Sequence, residues 1–562
     1  MQTIEDFSTF TVEAPDLEAV RRRYADIGVS LERADTTDEM LAAIFRWDEI
    51  RRQIDSWDQL TMVRFEQDTT NPEAKKARDR RNELVPKLTA LDVEIKRRLL
   101  ADPDRAALER ELGHQVFALW TADVAAFEPA IQDDLTRESA LSNGYTELLA
   151  SAKLEFDGKT LNLTGIVPYT ESTDRDVRHR AQAARWAFFE QNKARFDRIY
   201  DELVKLRDGM ARKLGFDSFV GLGYRRMHRV DYGASDVERF RDEIVREVVP
   251  VAQAIMTDRA KLLGVAKLMF WDEPVKDRAG NVRPTGDHDW IVASARGAFE
   301  AMDVRLGEFF KMLVDRRLLD LKNRPEKAGG GFCTSFPTHG VPFIFANFNG
   351  TAHDVEVLVH EMGHAFQNWS SRRAKLLDYF WPTSESAEID SMGMEFLAHP
   401  QMERFFDGEA ARFRSEHIAG AFERLPYMVA VDHFQHLVYE RPDAPPEERN
   451  AMWRSMEARY LPWRDYGDLD YPARGGRWQA QLHIYQVPFY YIDYALAGCC
   501  ALQFWARSQD DYAGAFADYV RLCARGGEAP FQELVRCANL RSPFEPGVLA
   551  DVARRARAAI GL

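Results

Sequence analysis

The sequence predicts a mainly α fold, on three observations. Apolar residues recur at helical spacing over long stretches, as with Met40, Ile44, Trp47 and Ile54. Strand signals are few and short, at 153–163 and 341–347. At 562 residues the chain exceeds the usual single core, so two lobes or domains are expected.

From Leu17 to about Ala150 the chain is rich in Ala, Leu, Glu, Arg and Asp, a helix-forming composition. Asn71-Pro72 and Asp102-Pro103 break this run, and Pro86 is expected to kink a helix. The run holds no catalytic constellation: charge-dense pieces such as 75–81 read as solvated faces, and His114 as a packed or surface residue. Alternation on either side of Asp157-Gly158 predicts a hairpin that marks a boundary, giving an N-terminal helical lobe over 1–165 and a catalytic region over 166–562. Helices resume at 173–177 and continue to about Leu263, and 277–286 reads as a loop. Next, 329–333 reads as a glycine-rich bend and Val341–Asn347 as a strand running into the following helix. An exposed strand edge there can pair with an extended peptide through main-chain hydrogen bonds. The most apolar stretch, Val487 to Ala506, is interrupted by Asp493 and Gln503 and contains Gly498, which predicts a core helix rather than a membrane span.

Net charge is −15, with acidic and basic residues interspersed, which argues for a soluble protein and against nucleic acid as a partner. The first residues lack the basic start and apolar core of a signal peptide, and the last carry no retention address. The five cysteines, Cys333, Cys499, Cys500, Cys523 and Cys537, form no CxxC pair and read as reduced thiols. A cytoplasmic location is the expectation.

Chemistry concentrates in His360-Glu361-Met362-Gly363-His364, which reads HExxH. Thr351 with Asp354 is expected to cap a helix on which Val355, Leu358, Val359, Met362, Phe366 and Trp369 form the buried face. On a helix, positions four apart lie about 40° apart in azimuth, so His360 and His364 project together and can hold one Zn²⁺ at about 2.0–2.1 Å. Glu361 flanks that face, where its carboxylate reaches a water on the metal without being a ligand. A histidine eleven positions into the motif is missing, since Gln367 and Ser370 stand where HExxHxxGxxH needs glycine and histidine. The third ligand must therefore come later. A second helix starting at Thr383 or Ser384, after Pro382, places Glu388, Ser391, Met392 and Glu395 on one face. Glu388 is the expected ligand and Glu395 the acceptor that orients a ligand histidine. Glu385 and Asp390 are rival ligands facing elsewhere.

Several segments together resemble the oligoendopeptidase F family of zinc metallopeptidases, relatives of thimet oligopeptidase. They are Pro342–Thr351, His360–Gln367, Ala387–Ser391, Met210–Phe219 and His483–Ala495, and the likeness runs from about 200 to 505. The resemblance implies one zinc per chain on His360, His364 and Glu388, with Glu361 as the catalytic carboxylate. It further implies two helical lobes enclosing a deep substrate channel, with a small β element beside the zinc helix, and short peptides as substrates. In such peptidases a histidine and nearby tyrosines after a flexible glycine loop hold the oxyanion. Here these map onto His483 and Tyr490 or Tyr491, with Tyr494 competing, after Gly475-Gly476. The expected activity is zinc-dependent endopeptidase cleavage of short peptides. A zinc carboxypeptidase or other HExxH protease, and an inert peptide-binding protein, are the alternatives.

Overall fold

The computed structural model describes residues 6–562. Helices dominate, as expected. Six of them, Leu17–Glu32, Thr37–Gln67, Pro72–Ala101, Arg105–Leu112, His114–Ala125 and Gln132–Ala150, fill the first 150 residues. Their starts follow local chemistry. Asp16 and Thr36 accept from backbone N–H groups in the first turns of their helices, and Asn71 does the same with Pro72 behind it at the first helical position. Asp102-Pro103 ends the third helix. Pro86, by contrast, lies inside a continuous helix, so its missing N–H is absorbed without a break.

Among the described residues there are five strands. β1 (Leu154–Phe156) and β2 (Lys159–Leu161) form the hairpin, turning at Asp157 and Gly158, both with positive φ. β3 (Leu319–Lys322), β4 (Phe332–Phe336) and β5 (Val341–Phe348) form one sheet in the order β3-β5-β4. β5 is central, parallel to β3 and antiparallel to β4, with Phe332 opposite Phe345 and Phe336 opposite Val341. The strand read from 341–347 is thus paired on both sides, and the sheet edges belong to β3 and β4. β3 escaped the sequence reading because four residues of alternating Leu and charge carry too little pattern.

Downstream of β5 the HExxH helix (His353–Ser371) packs against a crossing helix (Ser384–Leu397), which in turn lies against a tyrosine-led helix (Tyr491–Asp510); the long helix Ala410–Glu440 packs on the tyrosine-led helix. Expected to begin at Val487, the tyrosine-led helix begins four residues later, because Phe489 adopts φ +69° and breaks the helical path. No helix among the described residues is long and apolar enough to cross a membrane. All five cysteines are free.

Apolar side chains form one large cluster through most of the chain and a smaller one among the early helices, joined by Leu376 and Tyr379 from the segment between the HExxH and crossing helices. That segment is also held electrostatically. Arg51 forms a bidentate pair with Asp378 at 2.6 and 2.9 Å, with Asp48 and Asp92 close by, and Trp120 Nε1 donates to Asp378. Asp48 in turn accepts from the Leu377 N–H. Asp48 and Asp92 also pair with Arg52 and Lys96, but replacing Arg51 with Met leaves the largely buried Asp378 carboxylate without its bonded cation, and a loss of about 3 kcal/mol is expected in denaturant unfolding. A change below about 1 kcal/mol would mean that the apolar contacts alone dock the segment.

Candidate functional site

The HExxH helix starts at His353, with Ala352 as its N-cap. Thr351 does not cap it; its hydroxyl donates to Asn349. Asp354 instead reaches back to accept from the N–H groups of Asn349 and Gly350 at 2.7–3.1 Å. Val355, Leu358, Val359, Met362 and Phe366 are buried, and Trp369 is half-buried against Phe309. The apolar stripe fixes the helix's rotation, so His360 and His364 face the crossing helix.

That crossing is close because of Gly363. A Cβ there would lie 2.4 Å from the Asp390 carbonyl oxygen and 2.6 Å from the Ser391 Cα. With only a hydrogen at this point, the two backbones touch and Glu388 arrives at the histidines. Glu388 Oε2 lies 3.3 Å from His360 Nε2 and 3.5 Å from His364 Nε2. Among the described residues this is the one His/Cys/Asp/Glu group whose donor atoms all lie within 4.8 Å of one another.

The donor set fits a tetrahedral cation. Bonds of about 2.0–2.1 Å give tetrahedral edges of roughly 3.3 Å, whereas direct hydrogen bonds would be shorter. Burial disfavours charge on His360, yet Glu388 and Glu395 outweigh it and hold its pKa well above the usual range. Burial would likewise raise Glu388, but the two histidines hold it well below the carboxylate range. The site is built for positive charge balanced by one ionised carboxylate.

Two of the three donors are oriented from behind, whereas His364 Nδ1 is buried without a partner. Glu395 Oε1 accepts from His360 Nδ1 at 2.7 Å, which turns Nε2 toward Glu388. Glu395 Oε2 accepts from His417 Nε2 at 2.7 Å, and His417 Nδ1 faces His399 Nε2 at 3.0 Å. Burial would raise Glu395, but its two histidine partners bring it down to about 2. Glu388 Oε2 accepts from Ser391 Oγ, and Oε1 from the Tyr490 hydroxyl. Glu361 is buried, its Oε2 has no partner, and burial raises its pKa. The rival carboxylates stand apart: Glu385 faces Asp493 and Arg229, and Asp390 faces Cys523.

His483 and the tyrosines flank the same space. Gln481 Nε2 donates to His483 Nδ1 at 2.9 Å, so Nε2 carries the proton, 3.2 Å from the Tyr494 hydroxyl. Burial lowers the His483 pKa to about 4 and keeps the ring neutral. Tyr490 and Tyr494 line the cavity with His360, Glu361, His364 and Glu388. Tyr491 does not; it packs against Tyr427 beside Arg477. Nor are Gly475 and Gly476 a loose hinge: a Cβ on either would strike the Asn450 carbonyl or the Tyr471 ring.

The cavity of about 320 Å³ at these residues joins a larger one of about 720 Å³ through Gly331, Phe332, Tyr490 and Tyr494. A third space, lined by Thr334, Trp381 and Pro382, continues it on the other side. The outer edge of β4 carries Phe332, Cys333 and Thr334 along this channel.

Gly363, His417, Gln481 and the strained Phe489, whose carbonyl Arg229 holds, escaped the sequence reading. A glycine inside a buried helix is a signal for close packing. His417 and Gln481 carry none, since nothing in spacing ties them to their partners.

Two family descriptions match the chain. The profile described as Peptidase M3 N-terminal domain matches residues 7–127, and that of Peptidase family M3 matches 168–281 and 299–553. None of the curated proteins compared matches the chain. Among solved structures, a protein provisionally named oligoendopeptidase F is similar at 44% identity and TM-score 0.98, with 99% of each chain covered. PZ peptidase A with a bound inhibitor is similar at 42% and 0.98, again over 99% of each chain. A Bacillus anthracis protein with the same provisional name shows 38% identity and TM-score 0.93, over 99% of this chain and 98% of its own.

Gly363→Ala tests the crossing. The variant is expected to lose about 1–3 kcal/mol of stability by overpacking and to bind zinc at least about tenfold more weakly, read by denaturant melts and metal titration. Undiminished zinc affinity would show that the contact does not set the donor geometry.

Proposed function

The chain belongs to peptidase family M3, and from that premise we propose that it is a zinc-dependent endopeptidase hydrolysing internal bonds of short peptides in the cytoplasm. The observation that carries the reading is the convergence of His360, His364 and Glu388 beside a buried, unpartnered Glu361 oxygen in a channel.

His360, His364 and Glu388 would hold a zinc ion, which would supply Lewis-acid polarisation of the scissile carbonyl and lower the pKa of water to about 7. Glu361 takes the proton of the attacking water and passes it to the leaving amine; its burial makes it a stronger base than a solvated carboxylate. Glu395 holds the His360 ring in the tautomer whose Nε2 faces the site. The oxyanion is met by donors on the opposite side of the carbonyl, the neutral His483 Nε2–H and the Tyr494 hydroxyl. Tyr490 steers Glu388, and Tyr491 braces the His483 segment.

The outer edge of β4 pairs with no other strand and runs along the channel, a rail for an extended peptide that makes little demand on sequence. Space on both sides of the site suits cleavage within a chain rather than at its end. Residues 1–165 act as the N-terminal lobe that covers the channel, with Gln59, Met62 and Glu66 on one helix and Leu149 on another facing it. Such a cover admits short peptides and excludes folded proteins.

An end-capped, internally quenched peptide tests the reaction. Wild type is expected to cut an internal bond, and Glu361→Gln to lose about 10²–10⁴-fold in kcat with zinc content unchanged. Loss of metal with activity would contradict the base assignment, and cleavage of uncapped peptides alone would point to an exopeptidase. A second test concerns pH. Because the folded pKa of His483 is about 4, its neutral, donating form persists at all higher pH and is lost only on acidification through that value. His483→Phe is therefore expected to lower kcat about 10²-fold without moving an acid limb of kcat/KM above pH 5. A moved limb would make His483 the titrating group.

A further inference from the structure

The larger cavity contains a cation that no protein carboxylate answers. Of the basic residues lining it, Lys327 is bonded to the Asp320 carboxylate and to the backbone carbonyls of Asp320, Lys322 and Ala346, and His353 faces Glu356. Arg185, on the helix Arg175–Gln191, has neither hydrogen bond nor ion pair among the described residues. Its charged neighbour is a second guanidinium, that of Arg477, and the rings beside it are Tyr427 and Tyr145.

Arg477 is equally unanswered. It lies over the rings of Tyr427 and Phe270, at 4.8 and 5.2 Å to the centroids, and its Nε is buried without a partner. Glu457, within electrostatic range, is bonded to the Tyr466 hydroxyl and lies 3.6 Å from Arg464. Two adjacent, partly buried guanidiniums repel each other and lose hydration. Burial, helped by Arg477, pushes Arg185 down to about 10. Such a pair weakens the fold unless an anion joins it, and the cavity in front of Arg185 leaves room for one. A guanidinium takes a carboxylate through two parallel N–H···O bonds, a geometry that fixes position as well as charge.

The pair is wired to the catalytic wall. Tyr427, against which Arg477 stacks, donates to Gln481 Oε1 at 2.9 Å, and Gln481 holds His483. An anion at Arg185 would therefore sit at a fixed offset from the scissile bond. Resting on the peptidase reading above, we propose that Arg185, backed by Arg477, is the subsite for a carboxylate of the bound peptide. The carboxylate is that of the free C-terminus or of an Asp or Glu side chain, and the enzyme selects peptides that place it at that offset.

Matched peptides decide the matter: a free acid against its amide, and Glu against Gln scanned along the same sequence, each cut by wild type, Arg185→Gln and Arg185→Lys. Wild type is expected to cleave the carboxylate-bearing member of one pair at least about tenfold better, chiefly through KM. Arg185→Gln removes that difference and Arg185→Lys keeps part of it. A difference in the acid–amide pair assigns the C-terminus, and one in a Glu–Gln pair assigns a side chain. Arg185→Gln should also melt at the same temperature as wild type or higher, since no protein partner is lost. Equal cleavage of every pair by wild type, a preference retained in Arg185→Gln, or a melting temperature several degrees lower overturns the subsite while the peptidase reading stands. Failure to cleave any peptide, neutral ones included, overturns both.

Discussion

The contact on which the site depends is the one at Gly363, where two helix backbones meet with no side chain between them. Helix pairs ordinarily keep their axes about 8–10 Å apart because side chains fill the seam. Here the seam is empty at one point, so a carboxylate as short as Glu388 spans from the crossing helix to both histidines. Sequence neighbours reinforce the approach. Tyr519 donates to the Asp390 carbonyl, and Ser391, on the touching segment, bonds Glu388. The contact that sets the spacing thus also fixes the orientation of Glu388.

Charge in this interior is arranged in alternation. From His360 the order runs through Glu395 and His417 to His399, each group facing one of opposite hydrogen-bonding capacity. A buried ionised carboxylate is stable here because it accepts from both sides, which is the condition under which burial of charge does not unravel a fold. Glu361 stands outside this chain: it is buried without a partner for Oε2, and its pKa rises accordingly. An ionisable group short of partners beside a donor cluster is where proton transfer is expected.

The same contrast separates Arg51 from Arg185. Arg51 is surrounded by three aspartates and serves to dock the segment between the HExxH and crossing helices onto the early helices. Arg185 and Arg477 share a wall with no carboxylate in pairing distance. Arg51 has its counter-charge in the fold, whereas Arg185 lines the larger cavity with Arg477 over the Tyr427 and Phe270 rings beside it.

Local patterns carried much of this protein. The 3.6-residue periodicity gave the helices, Asn71-Pro72 and Asp102-Pro103 their limits, and Asp157-Gly158 the hairpin, because each rests on the backbone preferences of adjacent residues. Four-residue spacing put His360 and His364 on one face, and seven-residue spacing put Glu388 and Glu395 on another. Tertiary structure decided whatever joins positions distant in the chain: that β4 rather than β5 is a sheet edge, that His417 holds Glu395 and Gln481 holds His483, and that Tyr490 and Tyr494, not Tyr491, reach the cavity. No periodicity encodes these relations. They follow from how closely helices approach and from a strained turn at Phe489, quantities set by packing in three dimensions.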